Sequence, residues 1–127
     1  SKKGNTTENL IGLLERRLDT VIYRAKFATT VFSARQLINH GHVKVNGKKV
    51  NISSYLVKEQ DTIEIRDKSK ELTVIVGSLV NKEREIPDYI QMDEKNKKAK
   101  LIRVPKFSEV PYPTIMEPNL VIEYYSR

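Results

Sequence analysis

Residues 30–50 read Thr30-Val31-Phe32-Ser33-Ala34-Arg35-Gln36-Leu37-Ile38-Asn39-His40-Gly41-His42-Val43-Lys44-Val45-Asn46-Gly47-Lys48-Lys49-Val50, and the fold turns on how this stretch divides. Thr30, or Thr29 before it, caps a helix from Val31 to about His40, and Gly41 supplies the C′ position that ends it. Val31, Ala34, Leu37 and Ile38 fall inward at helical spacing, which leaves Arg35, Gln36, Asn39 and His40 on a polar outer side. Asn46-Gly47 then separates Val43-Lys44-Val45 from Lys48-Lys49-Val50, and this dipeptide favours a two-residue type I′ hairpin. Such a turn sets Val45 opposite Lys48, Lys44 opposite Lys49 and Val43 opposite Val50. Two facing lysines cost stability in isolation, so replacing either is expected to leave the fold no less stable. A bound anion reverses the sign, and the hairpin reads as a phosphate-facing feature. The competing reading is an edge ribbon whose lysines block strand-to-strand aggregation.

Upstream, residues 1–7 form a flexible lead-in, and Asn5 or Thr7 caps a helix from about Glu8 to Leu18, with room for a break before Thr20. Leu10, Leu14, Leu18 and Val21 lie at helical spacing, and Arg17 and Arg24, seven apart, share a face if the helix continues. Downstream, Glu59-Gln60-Asp61 turns into a strand, Thr62–Arg66, with Ile63 and Ile65 inward. Ser69 is expected to cap a long amphipathic helix through about Arg84, its buried stripe being Leu72, Ile75, Val76, Leu79 and Val80; Pro87 bars its continuation. Met92–Lys100 reads as a charged loop, Leu101–Val104 as a strand, 105–118 as irregular because of Pro105, Pro111, Pro113 and Pro118, and Leu120–Tyr125 as a last strand. The class is α+β: two helices packed on a small antiparallel sheet, with a further amphipathic helix and C-terminal strands. Residues 8–104 form one domain with a core module at about 21–85, and 105–127 form an extension.

The chain has 127 residues, no cysteine and a formal charge of +7. Thiolate metal sites, disulfide scaffolds and cysteine nucleophiles are excluded. No apolar run is long enough to span a bilayer, and Lys2-Lys3-Gly4-Asn5 does not open a signal peptide, so a cytoplasmic setting is expected. The charge is unevenly spread: the first 50 residues hold ten Lys/Arg against three acids, and the remainder is balanced. Self-repulsion of that kind is answered by a polyanion, which points to nucleic acid or an anionic membrane; the plainer reading is a solvated basic surface kept for solubility. His40 and His42 stand at poor metal-ligand spacing, the five glycines form no phosphate loop, and the acid pairs Glu83/Glu85 and Asp93/Glu94 lie on solvated segments. Catalytic residues, a metal site and a cofactor are therefore not expected. Tyr23 and Tyr55 either stack a base or pack at the core rim. A basic two-helix and hairpin unit without an aromatic platform suits structured RNA, gripped through phosphate and 2′-hydroxyl groups.

Glu8-Asn9-Leu10, Leu14-Glu15-Arg16-Arg17-Leu18-Asp19, Val21-Ile22-Tyr23-Arg24, Phe27-Ala28, Ala34-Arg35-Gln36-Leu37, His40-Gly41-His42-Val43, Val45–Ile52 and the ending Glu123–Arg127 closely resemble the bacterial small-subunit ribosomal protein S-four family, collinearly over residues 8–127. The resemblance implies the RNA-binding fold named after that family. It also implies binding of small-subunit, 16S-type ribosomal RNA at a multi-helix junction early in assembly, a part in translational accuracy, and neighbours such as ribosomal protein S-five. It further implies that the chain is a C-terminal fragment, monomeric in solution, whose extension packs toward a preceding helical region of the family. The expected RNA-binding residues are Arg16, Arg17, Arg24, Lys26, Arg35, Gln36, His40, His42, Lys44, Asn46, Lys48, Lys49 and Tyr55. Two alternatives use the same module: an RNA-modifying enzyme, whose catalytic Arg-Leu-Asp is echoed at Arg17-Leu18-Asp19, and a stand-alone ribosome-associated stress protein.

Overall fold

The structure, a computed structural model, describes residues 6–111. In chain order it comprises α1 (Thr6–Glu15), α2 (Leu18–Arg24), α3 (Val31–Asn39), β1 (Val43–Val45), β2 (Lys48–Lys49), β3 (Thr62–Ile65), α4 (Thr73–Val80), β4 (Ile90–Asp93) and β5 (Lys98–Leu101), with 3-10 turns at Asp67–Ser69 and Phe107–Glu109. The strands form one sheet in the order β2-β1-β3-β5-β4, every neighbouring pair antiparallel. Leu18, Val21 and Ile22 of α2 and Ala34, Leu37 and Ile38 of α3 join Val43, Val45, Ile63, Ile65, Ala99 and Leu101 of the sheet in one core. The expected α+β class, with helices on an antiparallel sheet, is observed.

The central stretch folds as read. Thr30 caps α3 by accepting from Ser33 N at 2.9 Å. Gly41 takes φ +82° just beyond the helix, and Asn46 and Gly47 take φ +51° and +83°, the paired positive values of a type I′ turn. Lys44 pairs with Lys49 and Val45 with Lys48.

The first helix does not run on to Leu18. It stops at Glu15, and Arg17 is extended (φ −61°, ψ 140°), paired with Leu56 as an isolated bridge. The opening amides of α2 then donate to a turn segment outside the helix, Leu18 N to Tyr55 O at 2.8 Å and Asp19 N to Ser53 O at 3.1 Å. Those donors lack partners within any helix, and here the backbone of residues 53–55 supplies them. Ile11, not Leu10 or Leu14, is the fully buried apolar side chain of α1. It meets Val110, Leu14 and Phe107 in a second small core, and Glu8 Oε1 accepts from Phe107 N at 3.0 Å.

Two further expectations fail. The long helix from Ser69 to Arg84 is only the eight-residue α4, and of the expected stripe Ile75 alone is fully buried, while Val76 and Val80 are exposed. Ser69 is occupied elsewhere, by His42 and Arg66. Arg84 lies beyond the helix, donating to the carbonyls of Tyr23 and Ala28 at 2.7 Å each and stacking over the Tyr23 ring at 4.0 Å. The charged loop at Met92–Lys100 is instead the β4–β5 hairpin, its turn closed by Asp93, which accepts from Asn96 N (3.1 Å) and Asn96 Nδ2 (2.9 Å). The strand expected at Leu101–Val104 ends at Leu101. The strand expected at Leu120–Tyr125 lies outside the described residues.

Arg24 and Glu15 form a buried ion pair at 3.1 Å, and Tyr89 Oη donates to Glu15 at 3.2 Å. Removing one member of such a pair leaves the other charge in a poorly solvating site. Glu15→Ala is expected to lower stability by about 3–5 kcal/mol in urea unfolding, and the double replacement Glu15→Leu with Arg24→Met to recover most of that loss.

Candidate nucleic-acid interface

The break before α2 determines where the cations go. Asp19, in the first turn of α2, is fully buried, and its carboxylate collects two arginines. Arg17 approaches with Nε on Oδ1 (3.1 Å) and Nη2 on Oδ2 (3.0 Å), and Arg35, from α3, places Nε on the same Oδ2 (2.9 Å). Thr20 Oγ1 adds a longer contact to Oδ1 at 3.4 Å. Both arginine side chains remain about one-third exposed. One turn on from Arg35, Asn39 Oδ1 accepts from Ser53 Oγ at 3.4 Å, in the segment that also accepts the amides of α2. Arg16 donates Nε to Val57 O at 2.9 Å.

On α3 and at its C-cap, Gln36 and His40 are exposed. A methyl group built on Gly41 would lie 3.5 Å from both Cδ and Nζ of Lys49, so the hairpin lysine reaches over the end of the helix. A cation there is favoured by the carbonyls that close the helix. Arg17, Arg35, Asn39, His40 and Lys49 thus follow one another along a single polar strip.

Several expected contacts are placed differently. Arg24 is withdrawn into the ion pair with Glu15 and offers no surface charge. Lys26 donates Nζ to the Asn81 carbonyl. Asn46 is held within the fold: its Nδ2 donates to Asp61 Oδ1 and its Oδ1 accepts from Thr62 N, both at 2.9 Å. Tyr55 is half-buried against the core, and Tyr23 carries the Arg84 guanidinium. Nor are the hairpin lysines unopposed. Across the sheet the register runs Lys49, Lys44, Glu64, Lys98, Asp93 from β2 to β4, so Lys44 has an acid on its other flank. Asp67 adds to this: its carboxyl is held below the usual carboxylate range first by a hydrogen bond and charge from Lys70, and also by Lys44 and Lys98. Lys48 and Lys49 remain exposed.

Sequence reasoning missed Asp19 and Ser53. The signal for Asp19 was available, since it falls on the same helical face as the core residue Ile22. That for Ser53 was not, because it meets α2 through a backbone carbonyl and meets Asn39 only across the fold. Among the described residues no group of three His, Cys, Asp or Glu could hold a metal, and no helix is long and apolar enough to cross a membrane.

The geometry has a counterpart among known proteins: residues 16–63, from the helix break to β3, match the S4 domain family. The chain carries an S4 domain and is a homologue of the uS4 ribosomal proteins. It is 76% identical over 125 residues to the small ribosomal subunit protein uS4 of Pelagibacter ubique, covering 98% of this chain and 61% of that relative. It is 60% identical over 126 residues to the protein of the same name from Gluconobacter oxydans (99% and 62%), and 58% identical over 125 residues to that of Ruegeria sp. (98% and 61%). The chain spans about three-fifths of the length of these relatives. The resemblance drawn from the residues is thereby borne out, and Asp19, Arg35 and the hairpin all fall inside the S4 domain.

Two measurements test the site. His42 packs Nδ1 at 2.7 Å from Ser69 Oγ; burial first, then the charges of Arg66 and His40, lowers its pKa below the ordinary 6.5. Between the depressed folded value and 6.5 the unfolded chain binds the extra proton. This contribution to stability is therefore complete above 6.5 and is lost as the pH falls. His42→Gln is expected to flatten the fall in thermal midpoint between about pH 6.5 and 5. Lys49→Ala, against the expectation from lysine repulsion alone, should lower the midpoint by about 2 °C or less, because it removes the cation at the end of α3.

Proposed function

We propose that the chain is a structural constituent of the small ribosomal subunit. It binds 16S-type ribosomal RNA at a multi-helix junction, takes part early in assembly and contributes to translational accuracy. On this reading it works in the cytoplasmic ribosome, beside proteins such as S-five, without a catalytic step, and is monomeric before incorporation. The observation that carries the reading is the similarity to uS4 proteins along 98–99% of the chain, which extends well beyond the S4 domain at residues 16–63. That extent favours it over an RNA-modifying enzyme or a stress protein, which would share the module alone.

The surface supports the same conclusion. Arg17, Arg35 and Lys49 stand along one strip with Gln36, Asn39 and His40, an arrangement fitted to phosphates and 2′-hydroxyls of folded RNA. Phosphate contacts release counterions, so affinity for a small-subunit ribosomal RNA transcript should fall with salt, with a log–log slope of about −0.7 to −0.9 for each phosphate neutralised. Filter binding across a salt series checks this; affinity indifferent to salt would remove the reading.

A further inference from the structure

We propose that Asp19 is the positioning residue of the RNA site: its buried carboxylate sets the Arg17 and Arg35 guanidinium groups side by side as one receptor for a phosphodiester. The proposal rests on the RNA-binding reading above and goes beyond it in naming the receptor and what builds it. The aspartate side chain has no exposure, whereas those of Arg17 and Arg35 are 31% and 33% exposed. A ligand can therefore reach the arginines and not the acid between them. Arg17 Nη2 and Arg35 Nε converge on the same oxygen, Oδ2, at 3.0 and 2.9 Å. Two guanidinium groups that close repel each other, and the shared carboxylate offsets that repulsion.

Arg35 gives Asp19 only its Nε, and its two Nη groups have no acceptor among the described residues. A guanidinium offers its donors as a planar fork suited to two phosphate oxygens at once. The aspartate is itself fixed from behind, through Asp19 N on Ser53 O at 3.1 Å. The long side chains are thus ordered before any ligand arrives, and the rotamer freedom otherwise lost on binding is already gone.

The test is Asp19→Asn in the whole chain, measured on a small-subunit ribosomal RNA transcript well below the thermal midpoint. Affinity is expected to fall about tenfold although a negative charge has been removed from the site. Arg35→Ala, which weakens the parent, should add less than about twofold in the Asp19→Asn background. Binding by Asp19→Asn that equals or exceeds the parent's, with the Arg35→Ala effect unchanged, overturns the positioning role while leaving the RNA-binding reading intact. A parent chain that does not bind the transcript overturns both. If Asp19→Asn does not fold, Arg35→Lys decides: it keeps the charge but lacks the fork, so about tenfold weaker binding is expected and unchanged binding overturns the proposal.

Discussion

Leu18 and Asp19 open a seven-residue helix whose first donors are met by the carbonyls of Tyr55 and Ser53, not by a capping side chain. A helix that short is not stable alone, so α2 exists because residues 53–57 run alongside its start. Arg16 and Val57 extend the same contact, with Val57 N on Arg16 O at 2.7 Å and Arg16 Nε on Val57 O at 2.9 Å. The remaining architecture follows from this docking. It stops α1 at Glu15, turns α2 so that Leu18, Val21 and Ile22 face the sheet, and places Asp19 beneath Arg17 and Arg35.

The electrostatics of the basic first 50 residues then depend on few acids. Each of the three is engaged: Glu8 accepts from Phe107 N, Glu15 holds Arg24, and Asp19 holds Arg17 and Arg35. Burial separates the last two cases. Glu15 takes its arginine out of the surface and joins α1, α2 and Tyr89, a structural use of charge. Asp19 leaves its arginines partly exposed, so their charge still acts outward. A local sequence of arginines and acids does not distinguish these outcomes; the distinction lies in whether the guanidinium or only the carboxylate is covered.

The fold was legible wherever local chemistry decides it. Thr30, Gly41 and Asn46-Gly47 carry conformational demands that no distant contact alters, and α3 and the first hairpin lie where they were expected. It was illegible where tertiary contacts override local preference. Leu10, Leu14 and Leu18 have the spacing of one continuous helix, yet the break at Arg17 depends on Leu56, distant in sequence. Ser69 looks like a helix cap until His42 and Arg66 occupy its hydroxyl. The β4–β5 hairpin was obscured because Ala99 and Met92 are weak inward signals among lysines. For the site, Arg35 and Lys49 were found as surface cations, whereas Arg24 was read as one because nothing nearby in sequence marks Glu15 as its buried partner.

The outer face of the sheet bears on which cations are left to meet RNA. Its row of Lys49, Lys44, Glu64, Lys98 and Asp93 alternates in sign beyond the hairpin, so Lys44 and Lys98 are each flanked by an acid. Cross-strand pairs of opposite charge stabilise a sheet modestly, and the field they project is small because neighbouring charges cancel. Lys49 differs because its side chain reaches over Gly41 toward α3 and away from the row. Arg17, Arg35 and Lys49 therefore stand apart from that alternating row, where α2, α3 and the hairpin meet. On the proposed reading, the cations at this junction select folded RNA by shape, since they reach several phosphates only when the strands carrying them are already close together.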